Sequence, residues 1–456
     1  NGANPTGGVV LDGAGNLYGT AGIVFEVTRP APTAMSMNAP TITYSANGVV
    51  TLTVAATNGA PTPTGTVQLN VDGTTTYTAT LVNGTATFTI PGLNAGLHAL
   101  RAAFGSQDGY AVSYSDGSLT VNKAASSVAV TGGSFVYDGT AHFGGSAVVS
   151  GAGAIDPNVA VLSYTGDRVS PGTYTVTATF AGDANHTGSS GSATITIALP
   201  STPGVSKLST GELLVVGTSG NDAILVSKGT GPSNGWNWGW GNWSWGWGYD
   251  WSYGSIQSQM GISFNGITTW YSGVTDLVVY GLAGNDLIQV SDLVAVPAVL
   301  FGGGGNDLIK SGAGTSVDGG GDGNDVLLGG VGRAVLIGGN GADVIGGSGT
   351  DDVLISGVTA FDDNLLALTE IRNEWGSSAT FANRVNHLNG NLAGGLNGDA
   401  ILTTNSSART VFDDNATDVL VGNGGNDWFI FNVVGGVDVD WALDANPFEG
   451  KYRLDL

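Results

Sequence analysis

The sequence contains no cysteine among its 456 residues, so no disulfide can stabilise it. Basic residues are scarce, since 13 lysines and arginines stand against 36 aspartates and glutamates, for a formal net charge of -23. A surface of this charge repels nucleic acid and anionic lipid and attracts cations. No apolar run reaches the length of a membrane span. We therefore expect no nucleic-acid partner and no membrane span.

Catalytic motifs are lacking as well. The sequence has no H-E-x-x-H, no G-x-S-x-G and no phosphate-loop lysine motif. The four histidines are scattered, with no partner at metal-ligand spacing. Paired carboxylates such as Asp362 and Asp363 stand where helix caps or turns are expected. We expect no enzyme activity and no catalytic residues.

What the chain does contain is glycine, at 77 positions, and long uncharged tracts rich in β-branched residues, which favour an all-β protein. Residues 1–28 predict two short strands, Val9–Leu11 and Ile23–Val27, too few to form a core. The stretch VLDGAGNLYGT within them resembles a propeller-type repeat of large bacterial surface proteins. We expect this segment to add a strand to another subunit, with the following residues as the donor set: Val9, Val10, Leu11, Ile23, Val24 and Phe25.

Residues 29–122 alternate apolar and polar side chains in about seven short runs, which predicts a β-sandwich. Asn83-Gly84 is a favoured hairpin turn. The run PTGTVQLNVDG…ATLVNGTATFTIPGLNAGLHALRAAF resembles bacterial immunoglobulin-like repeat domains. Residues 123–198 resemble another family of bacterial immunoglobulin-like surface domains and predict a second sandwich. A proline-rich linker, 199–210, follows.

From Gly211 the chain repeats every nine residues in the pattern G-G-x-G-x-D-x-U-x, where U is aliphatic. Two such units make one turn of a parallel β-roll, so one face recurs every 18 residues. Asp307, Asp325 and Asp343 keep that spacing. The alternate positions hold Ser316, Ala334 and Asp352, so this second column has lost two of its three aspartates.

Stacked turns of this kind present carboxylates and carbonyls, the oxygen ligands that calcium prefers. We expect calcium on one column only, with one ion between turns 302–307 and 320–325 and another between 320–325 and 338–343. Asp286 extends the column across a three-residue insertion, whereas a long insertion isolates Asp222. The alternative is that these are only turns. The predicted metal residues are Asp286, Gly302, Gly304, Asp307, Gly320, Asp322, Asp325, Gly338, Asn340, Asp343 and Asp352.

The repeat resembles the hemolysin-type (RTX) calcium-binding repeats of secreted proteins, a family in which the roll folds outside the cell once calcium binds. Helical spacing at 361–375 and 378–388 predicts a helical cap over 357–410, with Asp362 or Asp363 as the first N-cap. Residues 411–456 return to the pattern at Asp418 and Asp427, as a closing turn. The predicted fold class is thus all-β: two immunoglobulin-like sandwiches, then a parallel β-roll (211–356) with a small helical cap.

An insertion at 231–255 contains GWNWGWGNWSWGW. A hairpin turn at Gly241-Asn242 places six rings on one face, and Trp251 continues the parity. So much aromatic surface must be covered. Three things could cover it: the chain itself, a neighbouring subunit or sugar rings. The alternative is that the insertion is disordered. The interaction residues predicted here are Trp236, Trp238, Trp240, Trp243, Trp245, Trp247 and Trp251.

Two functions follow from these patterns. The first is a calcium-stabilised structural subunit of an extracellular, cell-surface or fibre-like assembly, polymerised by strand addition and aromatic contacts. The second is a surface adhesin that binds polysaccharide through the tryptophan-rich face. Tryptophan fluorescence distinguishes them, because quenching by added sugar supports the adhesin and protection only on polymerisation supports the fibre.

Overall fold

The computed structural model describes residues 8–13, 15–20, 24–230, 258–405, 407–433, 439–444 and 450–453. The backbone forms two compact units. The first comprises the chain up to Gly132 with Gly145–Tyr164 and Thr175–Ala193; the second comprises Gly133–Gly144, Thr165–Tyr174 and the chain from Thr194 onward. Strands dominate the described residues, which confirms the all-β class.

The N-terminal segment forms an antiparallel sheet of three short strands, in the order β1-β2-β3. The strands are β1 (Val10–Leu11), β2 (Leu17–Thr20) and β3 (Val24–Val27). The middle strand was not predicted, because glycine on both sides of it hides the alternation. Asp12 shapes the first turn by accepting the Asn16 N–H on Oδ1 at 2.8 Å. Ile23 lies outside the described residues.

The first sandwich packs a five-stranded sheet, β5-β11-β10-β7-β8, against a three-stranded sheet, β4-β6-β9. Alternation along β6 buries Val50, Leu52 and Val54, because successive side chains of a strand point to opposite faces. The hairpin turn at Asn83-Gly84 is confirmed, with φ of 52° and 76°. The strands are β4 (Thr33–Asn38), β5 (Ile42–Thr43), β6 (Gly48–Ala56), β7 (Thr66–Val71), β8 (Thr75–Thr80), β9 (Thr85–Ile90), β10 (Gly96–Phe104) and β11 (Ser113–Asn122).

A second set of strands follows, paired as β12-β14 and as β13-β17-β16-β15. Val176 and Ala178 on β16 are fully buried, and the pattern of alternation is that of the first sandwich. The strands are β12 (Ser126–Thr131), β13 (Gly133–Val136), β14 (Ser146–Gly151), β15 (Val161–Tyr164), β16 (Gly172–Phe180) and β17 (Ser189–Ala198).

The remaining chain, which we call the repeat unit, contains two nine-stranded sheets and a helical insertion. Residues 204–207, expected in the linker, form its first strand. Its elements are β18 (Gly204–Lys207), β19 (Glu212–Val216), β20 (Ala223–Thr230), β21 (Ser258–Phe264), β22 (Ile267–Ser272), β23 (Asp276–Ala283), β24 (Leu287–Val290), β25 (Ala298–Gly304), β26 (Leu308–Lys310), β27 (Ser316–Asp322), β28 (Val326–Leu328), β29 (Ala334–Asn340), β30 (Val344–Gly346), β31 (Val353–Ile355), β32 (Val358–Thr359), α1 (Leu365–Trp375), α2 (Phe381–Leu388), β33 (Val411–Phe412), β34 (Val419–Val421), β35 (Trp428–Phe431), β36 (Trp441–Ala442) and β37 (Gly450–Arg453).

From β23 to β31 the chain passes alternately between the two sheets. Sheet 1 has the order β18-β19-β23-β25-β27-β29-β31-β35-β37, and sheet 2 has the order β22-β21-β20-β24-β26-β28-β30-β34-β36. Neighbours in the central rungs pair in parallel, with Val299 opposite Val317 and Val317 opposite Val335. One full winding therefore takes 18 residues there, as the repeat predicted.

Helices α1 and α2 cover the outer face of sheet 1. Leu368, Ile371 and Trp375 join the row of outward valines of that sheet in one buried cluster. Two buried arginines hold the cap in place: Arg372 forms a bidentate pair with Asp276 at 2.6 Å for both contacts, and Arg384 lies over the Trp375 ring. The N-cap of α1 is Asn364, not the predicted Asp362 or Asp363, because its side chain accepts the Ala367 N–H.

Candidate metal centre

The three central aspartates stand in one column at the turns between the sheets. Each backbone N–H in the column donates to the carboxylate of the next rung. Asp286 donates to Oδ1 of Asp307, Asp307 to Asp325 and Asp325 to Asp343, each at 2.7 Å. The structure thus brings together Asp286, Asp307, Asp325 and Asp343.

The column is longer than the sequence indicated. Asp222, which was expected to be isolated, donates its N–H to Oδ1 of Asp286 at 2.7 Å. At the other end Asp343 donates to Asp418 at 2.7 Å, and Asp418 donates to Asp440 at 3.0 Å. The stretch GGVDVDWAL (435–443) matches the repeat except at its fourth position, a signal that could have identified Asp440.

Five carboxylates of the column keep a second oxygen without a hydrogen-bond partner in the described chain. The column aspartates are at most 4% exposed. Within the described chain, no hydrogen bond reaches Oδ2 of Asp286, Asp307, Asp325, Asp343 or Asp418. A buried ionised oxygen without a partner is costly, so native proteins pair such groups or coordinate a metal with them.

Glycine brings a carbonyl to each of these oxygens. A Cβ added at Gly302 would lie 2.3 Å from Asp307 Oδ2 and 2.6 Å from the Gly320 carbonyl oxygen. At Gly320 it would meet Asp325 Oδ2 at 2.3 Å and the Gly338 carbonyl at 2.4 Å. Two negatively polarised oxygens therefore converge beside each glycine of the column. Such all-oxygen surroundings fit a hard cation.

Three residues of the predicted metal set make hydrogen bonds within the protein. The backbone carbonyls of Gly304, Asp322 and Asn340 accept N–H groups of neighbouring turns, each at 2.7 Å. The Asn340 side chain donates to Asp322 Oδ1 at 2.8 Å, on the surface. These residues join the turns to one another, and their side chains lie away from the buried column.

Burial and neighbouring carboxylates raise the pKa along the column. Desolvation is the larger cause and the adjacent aspartate the lesser. The pKa rises to about 6 for Asp307, about 7 for Asp325 and about 8 for Asp343. The pKa values of Asp286, Asp418 and Asp440 are raised for the same main reason. A bound cation would reverse this effect, because it favours the ionised form.

The second column differs in chemistry. Asp352 is equally buried, but its Oδ1 accepts the Ala334 N–H at 2.7 Å and its Oδ2 accepts the Ser348 N–H at 2.6 Å. Both oxygens are therefore satisfied by the protein itself. Ser316 and Ala334 offer no carboxylate. This geometry favours a structural role for Asp352 rather than the predicted metal role.

One buried carboxylate was missed. Asp318 stands between Leu300 and Leu336 in the interior of sheet 1. It is fully buried, and no hydrogen bond of good geometry reaches either oxygen in the described chain. Burial raises its pKa to about 7, although the nearby side chains of Ser311 and Ser316 lower the pKa in part. The tripeptide S-V-D at 316–318 holds serine at the aspartate position and aspartate at the aliphatic position of the repeat. A comparison of the aliphatic (U) positions of successive repeats would have identified Asp318 from the sequence.

Side chains alone do not complete an ion site. Across the described ranges, no three histidine, aspartate or glutamate side chains cluster closely enough to hold a metal. An ion between two rungs would therefore rely on single carboxylates from adjacent turns together with glycine carbonyls. The predicted tryptophan face (Trp236 to Trp251) lies outside the described residues.

Comparison with known proteins supports part of this architecture. Residues 35–122 match a bacterial Ig-like domain family (group 3), which confirms the resemblance found in the first sandwich. No curated protein sequence matches the chain. The chain is therefore an all-β protein that carries a bacterial Ig-like domain.

Two solved structures are also matched. The fibronectin(III)-like modules of Clostridium thermocellum CbhA are 16% identical, with 36% of this chain and 95% of that chain covered and a TM-score of 0.17. The three N-terminal domains of the bacteriophage RB49 Highly Immunogenic Outer Capsid protein (Hoc) are 17% identical, with 42% and 66% covered and a TM-score of 0.16. TM-scores this low carry neither protein's function to this chain.

Proposed function

We propose that the repeat unit is a hemolysin-type calcium-binding parallel β-roll, and that the chain is a non-catalytic structural subunit of an extracellular, cell-surface or fibre-like assembly. The observation that carries the proposal is the aspartate column, in which five buried carboxylates each keep one oxygen without a partner. Calcium supplies the missing counter-charge and accepts the oxygen ligands that this column offers.

Calcium binding of this kind couples to folding. The aspartates converge only when the windings stack, so the unfolded chain has no preformed site and the binding free energy contributes to stability. Extracellular calcium modules bind at about 10⁻⁴–10⁻³ M. A roll with such an affinity is much less stable in a calcium-poor cytosol than outside the cell.

An extracellular location agrees with the rest of the chain. Bacterial Ig-like domains such as residues 35–122 are common in surface proteins. The chain has no cysteine, so metal takes the part that disulfides play in other secreted proteins. Over the described ranges, neither helix is long and apolar enough to cross a bilayer.

Assembly by strand addition is supported by the N-terminal sheet. β1 and β3 each pair with β2 only, within the described segment. Val10 and Leu11 are 66% and 64% exposed on one of these edges. An edge strand with exposed apolar side chains is a template for another chain. We propose that it pairs with a second copy of this protein.

The ion content tests the proposal directly. Purified protein is dialysed against calcium buffer and then against metal-free buffer, and calcium is counted by elemental analysis. We expect at least one ion for each gap between the three central turns, and a lower melting temperature of the repeat unit after chelation. Asp116→Asn, at an exposed position of the first sandwich, is the control. A native particle without bound calcium would refute the roll assignment.

Assembly needs a separate test. Electron microscopy of the full chain is compared with a variant lacking residues 1–28, both in calcium buffer. We expect ordered assemblies from the full chain and monomers from the truncated one. Assemblies that persist in the truncated variant would exclude the N-terminal strands as the link.

A further inference from the structure

A gap in one outward column of sheet 1 forms a slot of molecular size. Tyr280, Phe301, Gly319 and Ile337 occupy equivalent positions on successive rungs. The rings of Tyr280 and Phe301 stack with centroids 4.6 Å apart and planes within 9°. On the next rung, Gly319 occupies the position where a third ring would extend the stack. The face of the Phe301 ring that points away from Tyr280 is therefore not stacked on another ring.

The space beside Gly319 is open. A Cβ added there meets no heavy atom within 4 Å, whereas the same construction at Gly302 or Gly320 collides with the next rung. Rungs are about 4.8 Å apart, so Phe301 and Ile337 stand roughly 10 Å apart across the missing side chain. A single flat ring fits that spacing, with one contact distance on each side.

The slot opens into a larger groove. The groove has a volume of about 880 Å³, within the range of roughly 300–1,000 Å³ typical of ligand pockets. Its floor is the glycine backbone of sheet 1, and the segment before α1 forms its far wall. Its polar lining consists of Asp322, Asn340, Thr359, Asp362, Asp363 and Asn364.

The lining selects the chemistry of the ligand. Carboxylates dominate it and repel anions. Thr359 already donates to both oxygens of Asp362, and the Asn364 side chain caps α1. At Asp322 only Oδ1 is engaged, by Asn340, so Oδ2 can accept a hydroxyl. A hydroxyl-bearing ring satisfies such groups, while a phenyl or indole ring would desolvate them without a partner. An apolar face with a polar rim matches a neutral pyranose.

We propose that this slot binds one sugar ring of a neutral polysaccharide, stacked on the free face of Phe301 in the space that Gly319 leaves open. The adjoining groove receives the neighbouring sugars. The groove borders the aspartate column, because Gly320 belongs to both, but it uses no residue of the tryptophan-rich insertion and does not require the proposed assembly. It would give a structural surface protein an adhesive function.

Filling the slot tests the proposal. Gly319 has no positive φ, so a side chain is tolerated there. Gly319→Phe continues the aromatic stack and occupies the place of the sugar. Full-length protein in calcium buffer is titrated calorimetrically with cellohexaose, maltohexaose, chitohexaose and mannohexaose. We expect at least one to bind the wild type, and Gly319→Phe to weaken it by about tenfold or more without lowering the melting temperature.

Two further variants keep the result interpretable. Phe301→Ala removes the platform and should weaken the same sugar. Leu308→Phe adds the same ring on the outer face of sheet 2, where Leu308 is 40% exposed, and should leave binding unchanged. Failure of all four sugars to bind the wild type, or equal binding by Gly319→Phe, overturns the proposal. Loss of self-association instead of sugar binding in Gly319→Phe would assign the slot to a partner's aromatic side chain and overturn it as well.

Discussion

The first sandwich and the repeat unit differ in the kinds of side chain that they bury. The core of the sandwich is apolar throughout, with Leu52, Leu69 and Phe104 fully buried. The interior of the repeat unit is divided into two apolar clusters, and its turns bury a row of carboxylates. The core of the sandwich is therefore stabilised mainly by the hydrophobic effect. In the proposed roll, a counter-charge is needed in addition.

The difference follows from symmetry. In the sandwich, neighbouring strands differ in sequence, so a charged residue on one strand faces a residue of another type on the next strand. In the repeat unit every residue meets its own equivalent 18 residues later, as Asp307 meets Asp325. A charge that repeats therefore stacks on itself, and either protonation or a cation between the rungs relieves the repulsion.

Removing calcium should produce the largest difference in stability between the two regions. With ligand at 100 times its dissociation constant, each site contributes about 2.7 kcal/mol. We expect a chelator to lower the melting transition of the repeat unit steeply and to leave that of the first sandwich unchanged. Differential scanning calorimetry with and without chelator measures both. A common shift of both transitions would contradict the distinction.

Asp325→Ala should have the next largest effect, because its turn borders two ion sites. We expect a loss of about 5 kcal/mol of calcium-dependent stability for two sites. Once calcium is chelated, the loss should fall to the cost of the broken Asp307 N–H hydrogen bond, about 1–3 kcal/mol. Asp352→Ala is the matched variant. It breaks two protein hydrogen bonds, so it should cost about 1–3 kcal/mol whether calcium is present or not. Equal calcium dependence of the two variants would refute a one-sided column.

The pH dependence should have opposite signs with and without calcium. The folded-state pKa values of Asp307, Asp325 and Asp343 are raised to about 6, 7 and 8, against about 3.9 in the unfolded chain. The folded apo protein binds more protons, so its stability falls as pH rises from about 4 to 8. Calcium competes with those protons, so the calcium-bound protein should gain stability over the same range.

Urea denaturation at several pH values, in calcium and in chelator, measures both slopes. The first sandwich provides an internal reference, because it has no buried carboxylate column. Parallel slopes in calcium and in chelator would indicate that the ion binds elsewhere.

Asp318→Leu should act in the opposite direction, because we expect it to stabilise the repeat unit. Leucine has the same number of side-chain heavy atoms and restores the row formed by Leu300 and Leu336. The pKa near 7 implies a burial cost of up to about 4 kcal/mol above neutral pH, which disappears at pH 4. Thermal unfolding of wild type and Asp318→Leu at both pH values tests this. A destabilised variant with one fewer calcium would show that Asp318 is a ligand.

Local periodicity was sufficient for much of the fold. It predicted the first sandwich, the Asn83-Gly84 turn and the 18-residue register of Asp307, Asp325 and Asp343. It missed β2, whose flanking glycines break the alternation, and it misplaced the N-cap of α1, because several polar residues precede the helix. Asp222 was judged isolated because 64 residues separate it from Asp286, yet the two adjoin in space.

The sequence by itself determined the class of the chain, the identity of one domain and the period at which aspartates recur, since these depend only on the order of residue types. Tertiary structure decided which column keeps unpartnered oxygens, that Asp352 is satisfied by Ala334 and Ser348, and that Gly319 opens a slot beside Phe301. Those outcomes depend on what the neighbouring winding supplies. That neighbour lies 18 residues away along the chain at the centre of the repeat, and 75 residues away from Asp343 to Asp418, where the helical cap intervenes.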